Sequence, residues 1–172
     1  MAALLGVGCG GRGGQPNGQI PEQCALPAGV TVTGLALDES QAGTLPATGT
    51  TGFAVRATIA REPAAADSTV IVCFVVRDRD LVFKQIASGL VILPPGETDA
   101  TREAMFELRC DGDGHVEGHS ITSAFGLDDS DSSTGERSTQ IFVQHAESVK
   151  LLAGQPVGLR GTKSEAIRVA CP

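Results

Sequence analysis

Between Val30 and Cys171 apolar and polar residues repeatedly trade places at every second position, while helical periodicity hardly occurs. A chain patterned this way folds into strands, because successive side chains along a strand point to opposite faces. Val30 and Val32 alternate with Thr31 and Thr33. The phase then flips at Gly34 so that Leu35 and Leu37 take over, which predicts a bulge in a first strand. Phe53, Val55, Ala57 and Ile59 alternate with Ala54, Arg56, Thr58 and Ala60, a strand with one wet face. Residues 69–76 are apolar on both faces, so they belong in the middle of a sheet, with Arg77-Asp78-Arg79-Asp80 as the turn that ends them. Short strands follow at 81–86 and 90–93, stopped by Pro94-Pro95-Gly96. Ala104, Phe106, Leu108 and Cys110 then alternate with Glu103, Met105, Glu107 and Arg109, and further strands fall at 121–127, 141–145, 149–152 and 167–171. Many short strands with turn signals between them predict an all-β, antiparallel sandwich of about seven to nine strands.

The chain of 172 residues is long enough for one domain with an ample core. With 13 Lys and Arg against 20 Asp and Glu, the net charge is -7, so no basic stripe is available for phosphates and nucleic acid is excluded as a partner. No stretch reaches the roughly 20 apolar residues of a membrane-spanning helix. Of five cysteines, Cys24, Cys73, Cys110 and Cys171 form an even set suited to two disulfides in an oxidising compartment. Three pairings are open. Cys73, Cys110 and Cys171 fall in phase with apolar neighbours, which favours Cys73 with Cys110 and leaves Cys24 and Cys171 to tie the ends.

The fifth cysteine, Cys9, ends the run Met1-Ala2-Ala3-Leu4-Leu5-Gly6-Val7-Gly8 and opens Gly10-Gly11-Arg12-Gly13-Gly14-Gln15-Pro16-Asn17-Gly18. An apolar stretch closing in small residues, then a cysteine and a Gly-rich tether, resembles the end of a bacterial lipoprotein signal peptide. The pattern departs from that family in having Gly6 where leucine is usual and no Lys or Arg before Cys9, as a translation start chosen too far downstream would produce. The resemblance implies export, acylation at Cys9 and a place in the bacterial envelope, periplasmic or surface-exposed, with the membrane reached only through the lipid. It divides the chain into a truncated signal-like segment 1–8, a tether 9–27 and a sandwich 28–172, the tether reaching about 20 to 25 Å.

Phe53-Ala54-Val55-Arg56-Ala57-Thr58-Ile59, the two-sided strand at 70–76, and Gly89-Leu90-Val91-Ile92-Leu93-Pro94-Pro95-Gly96-Glu97 leading into 104–108 resemble bacterial immunoglobulin-like modules. Fibronectin type III and cell-adhesion-related bacterial domains share this rhythm, over residues 28–171 here. The chain lacks the Trp beside the first core cysteine and the Tyr two before the last that antibody domains carry. The resemblance implies an immunoglobulin-like sandwich and a non-catalytic binding or structural role toward an unidentified envelope protein or surface ligand.

One segment carries metal chemistry in its residue types. In Asp111-Gly112-Asp113-Gly114-His115-Val116-Glu117-Gly118-His119 every polar residue is at an odd position, so an extended strand lines Asp111, Asp113, His115, Glu117 and His119 along one face. His115, Glu117 and His119 are ligands of the kind zinc or copper takes, which gives the alternative function, a periplasmic metal-binding protein. Same-face neighbours lie about 7 Å apart, so three ligands from one strand need a bend, and a polar hairpin with turn glycines explains the same residues. A blue-copper site is excluded because both Met residues and His145 stand in the wrong places. Asp128-Asp129-Ser130-Asp131-Ser132-Ser133-Thr134-Gly135-Glu136 resembles a calcium loop in composition, but lacks its glycine and ends on Gln140 where glutamate is needed. It reads as a solvated turn, with weak calcium shared with Asp111 and Asp113 as the other option. Nucleophile elbows, phosphate loops and dinucleotide fingerprints do not occur, and His119 and Ser120 point to opposite strand faces, so no catalytic residue and no resident cofactor is expected.

Overall fold

The structure, a computed structural model, describes residues 24–81, 84–121, 132–146, 148–152 and 155–172. Among them lie strands β1 (Val30–Leu37), β2 (Gly43–Thr44), β3 (Thr50–Arg61), β4 (Val70–Asp78), β5 (Gln85–Leu93) and β6 (Asp99–Cys110). Then come β7 (Val116–Ser120), β8 (Ser132–Ser133), β9 (Ser138–His145), β10 (Ser148–Leu152), β11 (Gln155–Arg160) and β12 (Ile167–Ala170). They form two five-stranded sheets, in the orders β1-β3-β6-β7-β8 and β2-β12-β9-β4-β5, with β10 and β11 as a separate hairpin. All described pairings are antiparallel except β2 with β12.

The alternation in the sequence becomes the inner faces of these sheets. Val30 and Val32, then Leu35 and Leu37, are buried on β1, and the register shifts between Val32 and Gly34, the bulge that the phase flip predicts. Phe53, Val55, Ala57 and Ile59 of β3 meet Phe106 and Leu108 of β6 and, from the opposite sheet, Val70, Val72, Phe74 and Val76 of β4 in one hydrophobic core. The rings of Phe53 and Phe106 stack with centroids 5.4 Å apart. Each buried Val, Leu, Ile or Phe among them contributes about 1.5 to 3 kcal/mol through removal from water. The Pro94-Pro95-Gly96 corner is held from below by the buried Arg61, whose guanidinium donates to the carbonyls of Ala66, Leu93 and Pro94.

The cysteines pair as Cys24–Cys73 and Cys110–Cys171, with Cα–Cα distances of 5.4 and 5.7 Å. This corrects the pairing of Cys73 with Cys110 that phase alone favours. β4 is apolar on both faces, so phase cannot say which face the cysteine takes. Val70, Val72, Phe74 and Val76 occupy the core side, and Cys73 faces the other way, clustered with Cys24, Ala146, Ile71 and Leu90. Cys110 ends a strand of the opposite sheet and meets Cys171 just past β12, so that bridge joins the two sheets. Cys24 is itself buried, so packed structure reaches back at least that far, ahead of the boundary at residue 28.

The strands predicted at 81–86 and 90–93 are replaced by one strand, β5, which begins only at Gln85. Gly89, between them, serves close packing, since a Cβ there would collide with the Phe74 ring. On that side the sheets converge: β7 crosses β5 closely enough that the Ser88 N–H donates to Ser120 Oγ at 2.8 Å. The strand predicted over 121–127 falls almost wholly outside the described residues, as do segment 1–8, Cys9 and the tether up to residue 23.

Candidate functional site

The segment with metal-ligand residue types spans the turn from β6 into β7. Its first residue, Asp111, organises the turn: Oδ1 accepts from the N–H groups of Asp113 and His115, each at 2.8 Å, and Oδ2 accepts from Ser133 Oγ at 2.9 Å. The His115 ring adds Nδ1 at 3.4 Å from Oδ2. The His115 N–H foremost, then Ser133, Asp113 and the His115 charge, hold the Asp111 carboxyl down at about 2, against a smaller opposing effect of burial. A carboxylate whose oxygens are engaged this way stabilises a loop.

Beyond the turn the alternation holds. Val116 and Gly118 point inward and are buried, so Glu117 and His119 share the outer face of the first sheet. The Arg109–Glu117 cross-strand pair places the Arg109 Nε 2.6 Å from Glu117 Oε2, and His119 stands opposite Glu107. The structure therefore brings Asp111 and His115 together but leaves Glu117 tied to Arg109 and Asp113 exposed at the turn. Among the described residues no three His, Cys, Asp or Glu side chains converge as a metal centre requires. His145, the remaining histidine, is buried in β9 of the other sheet. Of the calcium-like patch, residues 128–131 lie outside the described residues, and Ser133 is engaged with Asp111.

The outer face of the second sheet holds residues that sequence reading passed over as a turn or as wet strand positions. Arg77-Asp78-Arg79-Asp80 splits by parity. Asp78 is fully buried and caps the corner, its Oδ1 accepting from the N–H groups of Asp80 and Leu81 and from the Thr139 hydroxyl. Arg77 lies opposite Phe142 of β9, and burial pushes its guanidinium down from its ordinary value. Arg79 donates its N–H to the Gln140 carbonyl, and Gln140 pairs with Arg168 of β12. Lys163 Nζ stands 5.7 Å from the Phe142 ring centroid. The signal that could have exposed this face was the odd-numbered spacing of Arg77 and Arg79, in phase with Cys73 and Val75.

Comparison with known proteins finds no family model that matches this chain, no matching curated protein and no matching solved structure. The class is therefore defined by the fold itself: an all-β chain whose two sheets enclose one core and which carries two disulfides.

Proposed function

We propose that this protein is a non-catalytic binding or structural module of a bacterial cell envelope, an immunoglobulin-like sandwich held to a membrane by a lipid on Cys9. The observation that carries the reading is the partition of the cysteines. Four of them lie in two disulfides, a state that persists in oxidising compartments, which leaves Cys9 as the odd thiol behind a Gly-rich tether.

The immunoglobulin-like part draws support from strand order. Immunoglobulin-type sandwiches place strands A, B and E on one sheet and C, F and G on the other. Here β1, β3 and β6 are neighbours on one sheet, and β4, β9 and β12 on the other, in corresponding chain order. The chain departs from that plan beside β6, where the hairpin partner β7 takes the place of a fourth strand arriving earlier in the chain.

Mass spectrometry of protein from its native host tests the reading. Acylated Cys9 as the N-terminus, with the other four cysteines oxidised, is the expected result, and Cys9→Ser should move the protein from the membrane to the soluble fraction. A chain intact from Met1, unacylated and fully reduced, would refute it. The metal-binding alternative through His115, Glu117 and His119 has less support, because Arg109 already holds Glu117.

A further inference from the structure

We propose that the cavity on the outer face of the second sheet, between β4, β9 and the segment entering β12, binds a small ligand that joins a carboxylate or phosphate to an apolar group. The cavity has a volume of about 290 Å³ and is lined by Arg79, Phe142, Lys163, Ser164, Glu165 and Ala166. Ile141 and Val143 point into the core, so Phe142 between them faces outward, yet it is only 4% exposed. Arg77 stands opposite Phe142, Arg79 is two residues further along beside Gln140, and a bridge from Gln144 to Lys163 brings the ammonium over the ring.

Charge is the reason to expect an anion. On the first sheet, the arginines that reach solvent have acidic partners, Arg56 with Glu103, Arg102 with Glu97 and Arg109 with Glu117, while the buried Arg61 is held by carbonyls. Arg79 and Lys163 make no ion pair with any described residue, although acids outnumber bases 20 to 13 in the chain. The nearest acids do not supply the missing pair. Asp80 Oδ2 accepts from the Gln140 N–H at 2.6 Å, and Glu165 lines the cavity without bonding either cation.

A guanidinium and an ammonium lining one cavity match a planar or tetrahedral oxyanion attached to an apolar body: the fork takes two oxygens, the ammonium shares one of them or takes a phosphate's third, and Ala166 with the uncovered edge of Phe142 meets the body. Lys163 is already drawn toward that position by its attraction to the ring. The volume lies at the small end of ligand sites, which suits a compact ligand rather than a polymer. The site deepens the binding role proposed above and rests on it, though not on the lipid anchor; fractionation of Cys9→Ser reads the anchor and ligand titration reads the site, so either can fail alone.

The test is a nuclear magnetic resonance titration of the full chain, disulfides intact, with benzoate, phenyl phosphate, benzyl alcohol and benzylamine. Saturable amide shifts at Arg79, Phe142 and 163–166 are expected with the two anions, weaker with the alcohol and absent with the amine. Preference for phenyl phosphate assigns a phosphate, and preference for benzoate a carboxylate. Arg79→Gln with Lys163→Gln, both on exposed side chains, should weaken the anions by at least about tenfold. Ala166→Leu, which keeps the charges but fills the cavity, should block them too. Absence of anion shifts at millimolar probe, equal shifts with benzylamine, or unchanged binding in both variants would overturn the site.

Discussion

Replacing Cys110 and Cys171 together with alanine removes the covalent link between the end of β6 and the segment after β12, two points separated by 61 residues of sequence. Freeing a loop of that length returns conformational entropy to the unfolded chain worth about 4 kcal/mol near room temperature. Cys171 also belongs to the main core, so losing buried sulfur adds about 1 kcal/mol. For a domain of this size the sum lowers the melting temperature by roughly 10 to 20 °C. The chain has neither Trp nor Tyr, so far-UV circular dichroism in urea is the suitable probe. Cys24→Ala with Cys73→Ala is the companion variant, and its separation of 49 gives nearly the same entropic loss, again about 4 kcal/mol. Under the observed pairing, each double variant leaves the other bridge whole and exposes no thiol besides Cys9. A loss below about 1 kcal/mol in both variants, or new reactive thiols in either, would refute the reasoning.

Gly118→Ala should destabilise by about 1 to 3 kcal/mol in urea unfolding, because the added Cβ would sit 2.6 Å from the Ile86 carbonyl oxygen, a backbone atom that cannot swing away. Gly112→Ala, with nothing within 4 Å of the new Cβ, is its control and should stay within about 0.5 kcal/mol of the parent. Asp111→Asn should lower stability at neutral pH, and the gap to the parent should close between about pH 4 and pH 2. The folded-state carboxyl is lowered to about 2, so its stabilising effect is complete above the ordinary carboxylate value and lost as pH falls through the lowered one. A gap that stays constant over that window in thermal melts counts against Asp111 as the turn's organiser. Adding a chelator should leave the melting midpoint unchanged, whereas a fall of several degrees would revive a metal centre at His115, Glu117 and His119.

Residues whose two strand faces differ were legible from the sequence. The bulge at Gly34 and the buried rows on β3 and β6 follow from period two, because one face of each strand is apolar and the other is not. The outward alignment of Glu117 and His119 was legible for the same reason. Period two fails where both faces are covered, and β4 is that case, so the side on which Cys73 lies could only come from its tertiary neighbours. It fails also where a polar residue is buried with its partners. Asp78 looks like a turn residue among Arg77, Arg79 and Asp80, but it is buried, with its Oδ1 engaged by the Thr139 hydroxyl and two backbone N–H groups. The commitment of Glu117 to Arg109 needed the register of β6 against β7, which no local pattern encodes.

The two-sided hydrophobicity of β4, its disulfide and the cationic cavity have a common cause. An apolar outer face costs free energy unless something covers it. At one end of β4 that cover includes the segment at Cys24, fastened by the Cys24–Cys73 bridge against Ile71, Leu90 and Ala146. Toward the other end the outer positions become Arg77 and Arg79, with Phe142 of β9 opposite Arg77 and under Lys163, so the same face turns from apolar and fastened to polar, with the cavity beside Arg79. From Cys73 to Arg79 the strand advances about 20 Å. Since the chain entering at Cys24 is joined covalently to a strand paired on both sides, tension on the proposed tether would load an interior strand of the second sheet and spare the edge strand β1. The cavity lies toward the end of β4 away from Cys73.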